Sequence, residues 1–259
     1  NGRKNTEVLF TKEGKGAGYA RNIGLSHARG KWIIFADADD FFTANCFTIL
    51  NEYMDSPHKV IYFNVRFVMS DDPSQESRRG TYYTNFFNDV NPENKLRYQS
   101  QVPWGKMIRR SFLSTFHIQF DETRIANDVY FSCLVGIYAP KVTTDRRIIY
   151  YCTESDQSLA MSKQDRESLI IRFNASMKCN RLLRQEKIHY YLSPLPWCIP
   201  SAKTKEWLPA KYFFEYLFFF RLQAFKELYY AFSAILSHMN EPATKETDKC
   251  NKKTTNLKE

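Results

Sequence analysis

Lys31-Trp-Ile-Ile-Phe35-Ala-Asp37-Ala-Asp39-Asp40 decides how this chain is read. A continuous apolar run is what a strand buried on both faces looks like, and this one stops abruptly at three carboxylates. In an extended segment residues i and i+2 point to the same side, so Asp37 and Asp39 can converge on one cation. Hard oxygen ligands suit Mg²⁺ or Mn²⁺ bridging a diphosphate. The C-terminal edge of a parallel sheet is also where open α/β folds bind ligands. Taken alone, an Asp-x-Asp pattern fits an acidic helix cap at least as well.

Working outward, Glu7–Phe10 is a short strand candidate, followed by the turn Gly14-Lys-Gly-Ala-Gly18 and a helix from Tyr19 to Ala28, stopped by Gly30. Its spacing points Ala20, Ile23, Gly24 and His27 inward. Strand, turn, helix and buried strand together describe a right-handed crossover in a parallel sheet. Val60–Phe67 alternates, with Ile61, Phe63, Val65 and Phe67 on one face of a half-buried strand. Asp71–Arg79 is a polar, mobile loop. Val102–Arg109 and Arg147–Tyr151 are further strands, with helices over Asn127–Tyr138 and Gln164–Lys187. Four prolines make Ser193–Pro209 a connector. The expected organisation is an α/β domain over 1–160, an aromatic-rich helical region over 161–240, and a disordered polar tail over 241–259.

The 259 residues are 43% hydrophobic and 25% charged, ordinary globular values that exclude general disorder. The net charge of +9 is uneven: +5 over 1–31, −3 over 32–140, +6 over 141–240 and +1 beyond. An acidic middle between basic flanks suits a carboxylate site in a field that attracts anions. No zinc spacing or dense Lys/Arg run favours nucleic acid. Cysteines 46, 133, 152, 179, 198 and 250 are scattered and read as reduced, mostly buried thiols of a cytoplasmic protein. No apolar run is long enough to span a bilayer, and Asn1-Gly2-Arg3-Lys4 opens no signal peptide. Between Lys211 and Phe232, 11 of 22 residues are aromatic, interrupted by Lys211, Glu215, Arg221, Lys226 and Glu227. Such a helix either lies peripherally on the inner face of a membrane or packs on the protein's own core.

Gly16-Ala-Gly-Tyr-Ala-Arg-Asn-Ile-Gly24, then His27-Ala-Arg-Gly-Lys-Trp-Ile-Ile-Phe-Ala-Asp-Ala-Asp-Asp-Phe41, closely resembles the central signature of family 2 glycosyltransferases. Pro103-Trp104-Gly105-Lys106, Phe120-Asp-Glu, Asn127-Asp128 and Tyr150-Tyr151 through Ser158 resemble, in order, elements of its capsule and cell-envelope branch. The resemblance covers residues 7 to 160 and implies the GT-A fold, an α/β sheet that binds a nucleotide-sugar. It implies an inverting transfer of sugar to a hydroxyl of a glycan or lipid-linked acceptor, with Mg²⁺ or Mn²⁺ as cofactor.

Position by position, the resemblance implies Asp39 as the direct metal ligand, with Asp37 at the donor's ribose or in the outer shell of the metal and Asp40 flanking. Arg21 would reach toward the donor nucleotide, and Asp128 matches the family's general base. The usual Glu-Asp is Asn127-Asp128 here, so the first acid is absent. Trp104 would stack on an acceptor sugar and Lys106 would meet phosphate, against the plain alternatives of a core tryptophan and a solvated lysine. Family members also carry Pro-x-Tyr-Asn and Asp-Asp-Gly-Ser segments ahead of the glycine turn, and nothing in 1–15 resembles either. The expectation is a GT-A fold lacking its first two strand–helix units, followed by a C-terminal helical region. Competing readings are a non-catalytic remnant that keeps the scaffold, or a nucleotidyltransferase.

Overall fold

The computed structural model describes residues 5–11, 14–77, 80–154, 165–195, 208–221 and 228. Five strands form one sheet: β1 (Trp32–Ile33), β2 (Phe41–Phe42), β3 (Val60–Met69), β4 (Lys106–Arg109) and β5 (Val142–Glu154). Their order across the sheet is β1-β4-β3-β5-β2. Only the β3–β5 pair is parallel; β1–β4, β3–β4 and β2–β5 are antiparallel. The long pair carries the sheet, running from Val60 opposite Val142 to Met69 opposite Glu154, with a bulge near Asn64.

Unlike the half-buried strand expected, β3 is the central strand and is covered on both faces. Val60, Ile61, Tyr62 and Phe63 are all fully buried. The helices over the sheet are α1 (Gly16–His27), α2 (Cys46–Asn51), α3 (Gly80–Phe87), α4 (Pro92–Gln99), α5 (Arg110–Thr115) and α6 (Asn127–Tyr138). Ile49 and Leu50 of α2, Leu96 of α4, Phe112 and Leu113 of α5, and Phe131 and Val135 of α6 join the strands in one apolar core. Removing this much apolar surface from water is the main term favouring the fold.

α7 (Arg166–Gln185) packs on α6 through a second cluster containing Val129, Cys133, Ala175, Cys179, Leu183 and Leu192. The chain divides into two units, 1–208 and 209–259. Residues 161–208, which the sequence assigns to a separate helical region, thus fall within the first. In the second unit α8 (Ala210–Phe220) buries Tyr216, Phe219 and Phe220 and exposes Phe214 and Phe218. The tail over 241–259, Cys250 and all of 196–207, with Cys198, lie outside the described residues. Cysteines 46, 133, 152 and 179 are free thiols, and three of them are buried.

Three expectations for the N-terminal third are corrected. Glu7–Phe10 is not a strand, and Val8 and Phe10 are 69% and 91% exposed. The buried parallel strand predicted over Lys31–Phe35 is a two-residue edge strand, antiparallel to its neighbour, so no parallel crossover forms. A strand at the edge has a backbone partner on one side only, and apolar composition cannot reveal which position a strand takes. The inward face of α1 is also different, because Ala20, Gly24 and His27 are exposed. Gly18 is the buried position, flanked by half-buried Arg21, Asn22 and Leu25. The reason is that α1 lies against a polar loop: Asn22 donates to the carbonyl of Phe120 at 3.0 Å and accepts from its N–H at 2.8 Å.

β1 and β2 occupy opposite edges of the sheet. The chain between them, 34–40, must therefore cross four inter-strand gaps, a span of about 19 Å at about 4.8 Å each. Seven residues reach at most about 25 Å. The acidic segment is thus stretched across the end of the sheet with little slack, turning at Asp37–Asp40, where the Asp40 N–H meets the Asp37 carbonyl at 3.3 Å.

A side chain at position 18 has no room, since a Cβ there would lie 2.1 Å from the Asp121 carbonyl oxygen and 2.9 Å from the Asn127 Cβ. Gly18→Ala is expected to lower stability by about 1–3 kcal/mol through overpacking. Gly24→Ala, whose Cβ meets nothing within 4 Å, is expected to be neutral or stabilising by about 0.5–1 kcal/mol. Urea unfolding of the two variants measures the contrast.

Candidate functional site

Arg21 gathers the site. Projecting from α1, its guanidinium donates to Asp37 Oδ1 at 2.5 Å and to Asn127 Oδ1 at 2.9 Å, and lies over the Phe120 ring at 5.5 Å. Phe120 stacks on Phe131 of α6 at 3.9 Å, and Phe35 meets both rings edge-on. The residue before α6, Ala126, holds a left-handed backbone (φ 53°), which sets the direction in which the helix leaves the loop. Asn127 and Asp128 then occupy the first turn, where the helix dipole favours negative charge.

Asp128 is half-buried. Burial pushes its carboxyl above the ordinary range, opposed by Arg21 and Lys106 and reinforced by Asp37. Those four side chains, from α1, the acidic turn, β4 and α6, therefore share one electrostatic environment. Lys106 is 1% exposed and donates to the carbonyls of Ser100 (2.9 Å) and Val102 (2.5 Å). Burial brings its ammonium down to about 7, with the Asp128 carboxylate pulling the other way.

Asp39 is exposed at the tip of the turn. Asp40 is tied back to β5, accepting from the Tyr150 hydroxyl at 2.6 Å and the Thr153 N–H at 2.7 Å. Burial raises its carboxyl, while those two donors lower it. Tyr150 also accepts the Asp37 N–H at 2.9 Å.

The sequence-predicted residues thus divide. Arg21, Asp37, Asp39, Asp40 and Asp128 come together at one end of the sheet. Trp104 and Lys106, expected to face an acceptor, have buried side chains. Trp104 is 6% exposed and stacks on Tyr150 with centroids 6.0 Å apart. Core packing and carbonyl contacts, not solvent, surround them. Arg21 is directed to Asp37 and Asn127. Sequence reasoning missed the roles of Asn127, Tyr150 and Thr153, because each acts through a partner more than a hundred positions away.

Among the described residues no three acids, histidines or cysteines converge as a cage for a metal. Mg²⁺ needs no such cage, since it keeps several waters and is held through one or two carboxylates plus substrate phosphates. Exposed Asp39, with Asp37 two residues away but paired to Arg21, suits that second kind of site.

The profile of glycosyl transferase family 2 matches residues 2–116. Over that segment the chain is similar to glycosyl transferase family 2. The segment takes in α1, the acidic turn, Trp104 and Lys106, and stops short of Asp128 and Tyr150. A search of curated proteins gives no match. Among solved structures, Staphylococcus aureus TarS 1–349 in complex with UDP-GlcNAc is 19% identical with a TM-score of 0.50, covering 71% of this chain and 50% of that one. TarS 1–349 in complex with UDP is also 19% identical, with a TM-score of 0.49 over 73% of this chain and 50% of that one. The likeness to TarS 1–349 in complex with UDP-GlcNAc gives the chain the GT-A fold, and the chain spans about half the length of these structures.

Burial makes the folded protein hold a proton on Asp128 more tightly than the unfolded chain does. Stability consequently falls as pH rises from the unfolded carboxyl value of about 3.9 through the raised folded value. Asp128→Asn removes this loss, so the variant should melt above wild type at pH 7.5, with the gap narrowing toward pH 4 or so. Thermal melts across that range check the sign.

Proposed function

We propose that this chain belongs to an inverting family 2 glycosyltransferase that moves sugar from a nucleotide-sugar to a hydroxyl of a glycan or lipid-linked acceptor in envelope polysaccharide synthesis. The observation that carries the reading is the Arg21 bridge, which brings the Asp37–Asp40 turn and the first turn of α6 together at one end of the sheet. The UDP-GlcNAc and UDP complexes of the TarS relatives support a nucleoside diphosphate sugar as donor.

In this mechanism Asp128 accepts the proton of the acceptor hydroxyl as that oxygen attacks the anomeric carbon. A carboxylate raised by burial is a better base at neutral pH than an ordinary one. Arg21 holds Asp37 in place and lends positive charge beside the departing diphosphate. Asp39 and Asp37 are the residues that would hold Mg²⁺ or Mn²⁺, which when bound supplies Lewis-acid stabilisation of the leaving group. No covalent nucleophile is needed, since water exclusion and in-line placement of the hydroxyl do the remaining work.

Release of UDP or GDP from nucleotide-sugars in the presence of Mn²⁺ and acceptor tests the reading. In a complete version of the enzyme, Asp39→Ala is expected to abolish transfer and Asp37→Ala to leave weak activity. Asp128→Asn should lower kcat by roughly 10²–10⁴ with donor affinity little changed. Equal, metal-independent turnover in wild type and Asp39→Ala would remove the site assignment, and loss of donor binding in Asp128→Asn would make that residue structural.

Membrane contact belongs to the same proposal. No helix among the described residues is long and apolar enough to cross a membrane. In α8, Phe214 and Phe218 lie one turn apart and are 66% and 78% exposed, beside Lys211. Aromatic rings with a neighbouring cation are suited to a headgroup region. Binding to anionic vesicles is expected to drop in the Phe214→Ser/Phe218→Ser double variant. Unchanged binding after deletion of 205–259 would eliminate the surface contact.

A further inference from the structure

We propose that Tyr150 and Thr153 are positioning residues that clamp the Asp37–Asp40 turn onto β5 and so fix where Asp39 presents its carboxylate. The inference deepens the transferase reading and rests on it for its purpose. Four hydrogen bonds of 2.9 Å or shorter make the clamp, and the Thr153 hydroxyl also reaches Asp40 Oδ1 at 3.4 Å. The Tyr150 hydroxyl accepts the Asp37 N–H at 2.9 Å and donates to Asp40 Oδ2 at 2.6 Å. The Thr153 N–H donates to Asp40 Oδ1 at 2.7 Å, and its hydroxyl donates to the Asp39 carbonyl at 2.9 Å.

Both oxygens of Asp40 are thereby occupied, and none of the four bonds uses the Asp39 carboxylate. Asp40 is an anchor and Asp39 is left outward. Residue type alone does not separate Asp39 from Asp40; the family resemblance implies Asp39 as ligand and Asp40 as flanking, and gives Asp40 no anchoring role.

The clamp has a rigid base. Tyr150 is 0% exposed, stacked with Trp104 at 6.0 Å and edge-on to Phe42 at 5.4 Å. Its hydroxyl emerges from the core at a position the ring packing sets. Trp104 thus reaches the site through Tyr150. The need for such a clamp follows from topology. Residues 34–40 belong to no strand or helix, so the ladder bonds that order the rest of the sheet do not order them. Bonds to a buried hydroxyl and to a strand's own backbone replace that ladder.

Tyr150→Phe removes the hydroxyl and keeps the ring, and Thr153→Val removes the second hydroxyl at nearly constant shape. Tyr53→Phe is the control, since its hydroxyl donates to Asp145 at 2.9 Å, away from the turn. Hydrogen–deuterium exchange of the peptide spanning 36–42 is measured in the 259-residue chain, with circular dichroism confirming that each variant is folded. Mn²⁺ with UDP is titrated by calorimetry in parallel.

Tyr150→Phe is expected to speed exchange of that peptide and to weaken Mn²⁺ and UDP binding, each by about tenfold, the scale of losing one or two hydrogen bonds. Thr153→Val should do the same more weakly, and Tyr53→Phe should do neither. A folded Tyr150→Phe protein whose turn exchanges at the wild-type rate overturns the clamp. Faster exchange with unchanged Mn²⁺ and UDP affinity overturns its role in positioning Asp39. Wild-type chain that binds neither Mn²⁺ nor UDP overturns the donor-site role given to this turn, and the exchange result still decides whether the turn is clamped.

Discussion

The Arg21 guanidinium is the junction on which the arrangement of this molecule depends. Its planar fork reaches Asp37 and Asn127 at once and covers Phe120 with its face. A lysine ammonium is a point charge on a flexible stem and offers no such pair of fixed directions. The arginine side chain is 18% exposed and Asp37 is 34% exposed, so solvent screens the pair less than it screens a surface bridge. Gly18 lies one turn earlier on the same face of α1, and its missing side chain lets the helix approach the Asp121 backbone closely enough for Arg21 to reach. The small residue and the cation thus form one device, a close approach followed by a charged tie.

That device explains which parts of the fold are legible in the sequence. The helices over 127–138 and 166–185 stand out because they are long and periodic, and their packing obeys their own apolar stripes. Ile34 and Phe35 read as strand because they are apolar and β-prone, yet tertiary structure uses them to cross the end of the sheet, with Phe35 wedged against Phe120 and Phe131. Tyr62 was counted on the outer face of an alternating strand and is fully buried, because a tyrosine reads as amphipathic until its neighbours are known. Helical spacing of mostly small residues points Ala20, Ile23, Gly24 and His27 inward, whereas the helix is held by Arg21 and Asn22. A pattern that scores apolar residues cannot see a polar interface.

The site was legible in its acids and illegible in their supports. Asp37 and Asp39 stand out by residue type and by their spacing to the glycine turn, whereas only the family resemblance singles out Asp128. Tyr150 and Thr153 acquire their roles from the register that sets Phe42 opposite Tyr150, and one sequence contains no information on register between strands a hundred residues apart. Asn127 is the instructive departure. Read as a missing acid, it looks like a loss, but its amide oxygen accepts from Arg21. A second carboxylate there would compete with Asp37 for the same cation and add negative charge beside Asp128.

Charge balance around Asp128 then follows from where the cations are tied. Arg21 is shared with Asp37, so only part of its field is available to a neighbouring carboxylate. Lys106 is buried and held by two carbonyl dipoles rather than by an acid. The carbonyl of Val102 that receives it also accepts the hydroxyl of Ser132, one helical turn beyond Asp128 on α6. The first turns of α6 are therefore fixed on one side by a guanidinium bridge and on the other by a shared carbonyl. Two anchors of different chemistry leave a helix little freedom to tilt. A carboxylate placed between them has a defined position, a raised proton affinity from burial and two cations to limit the rise.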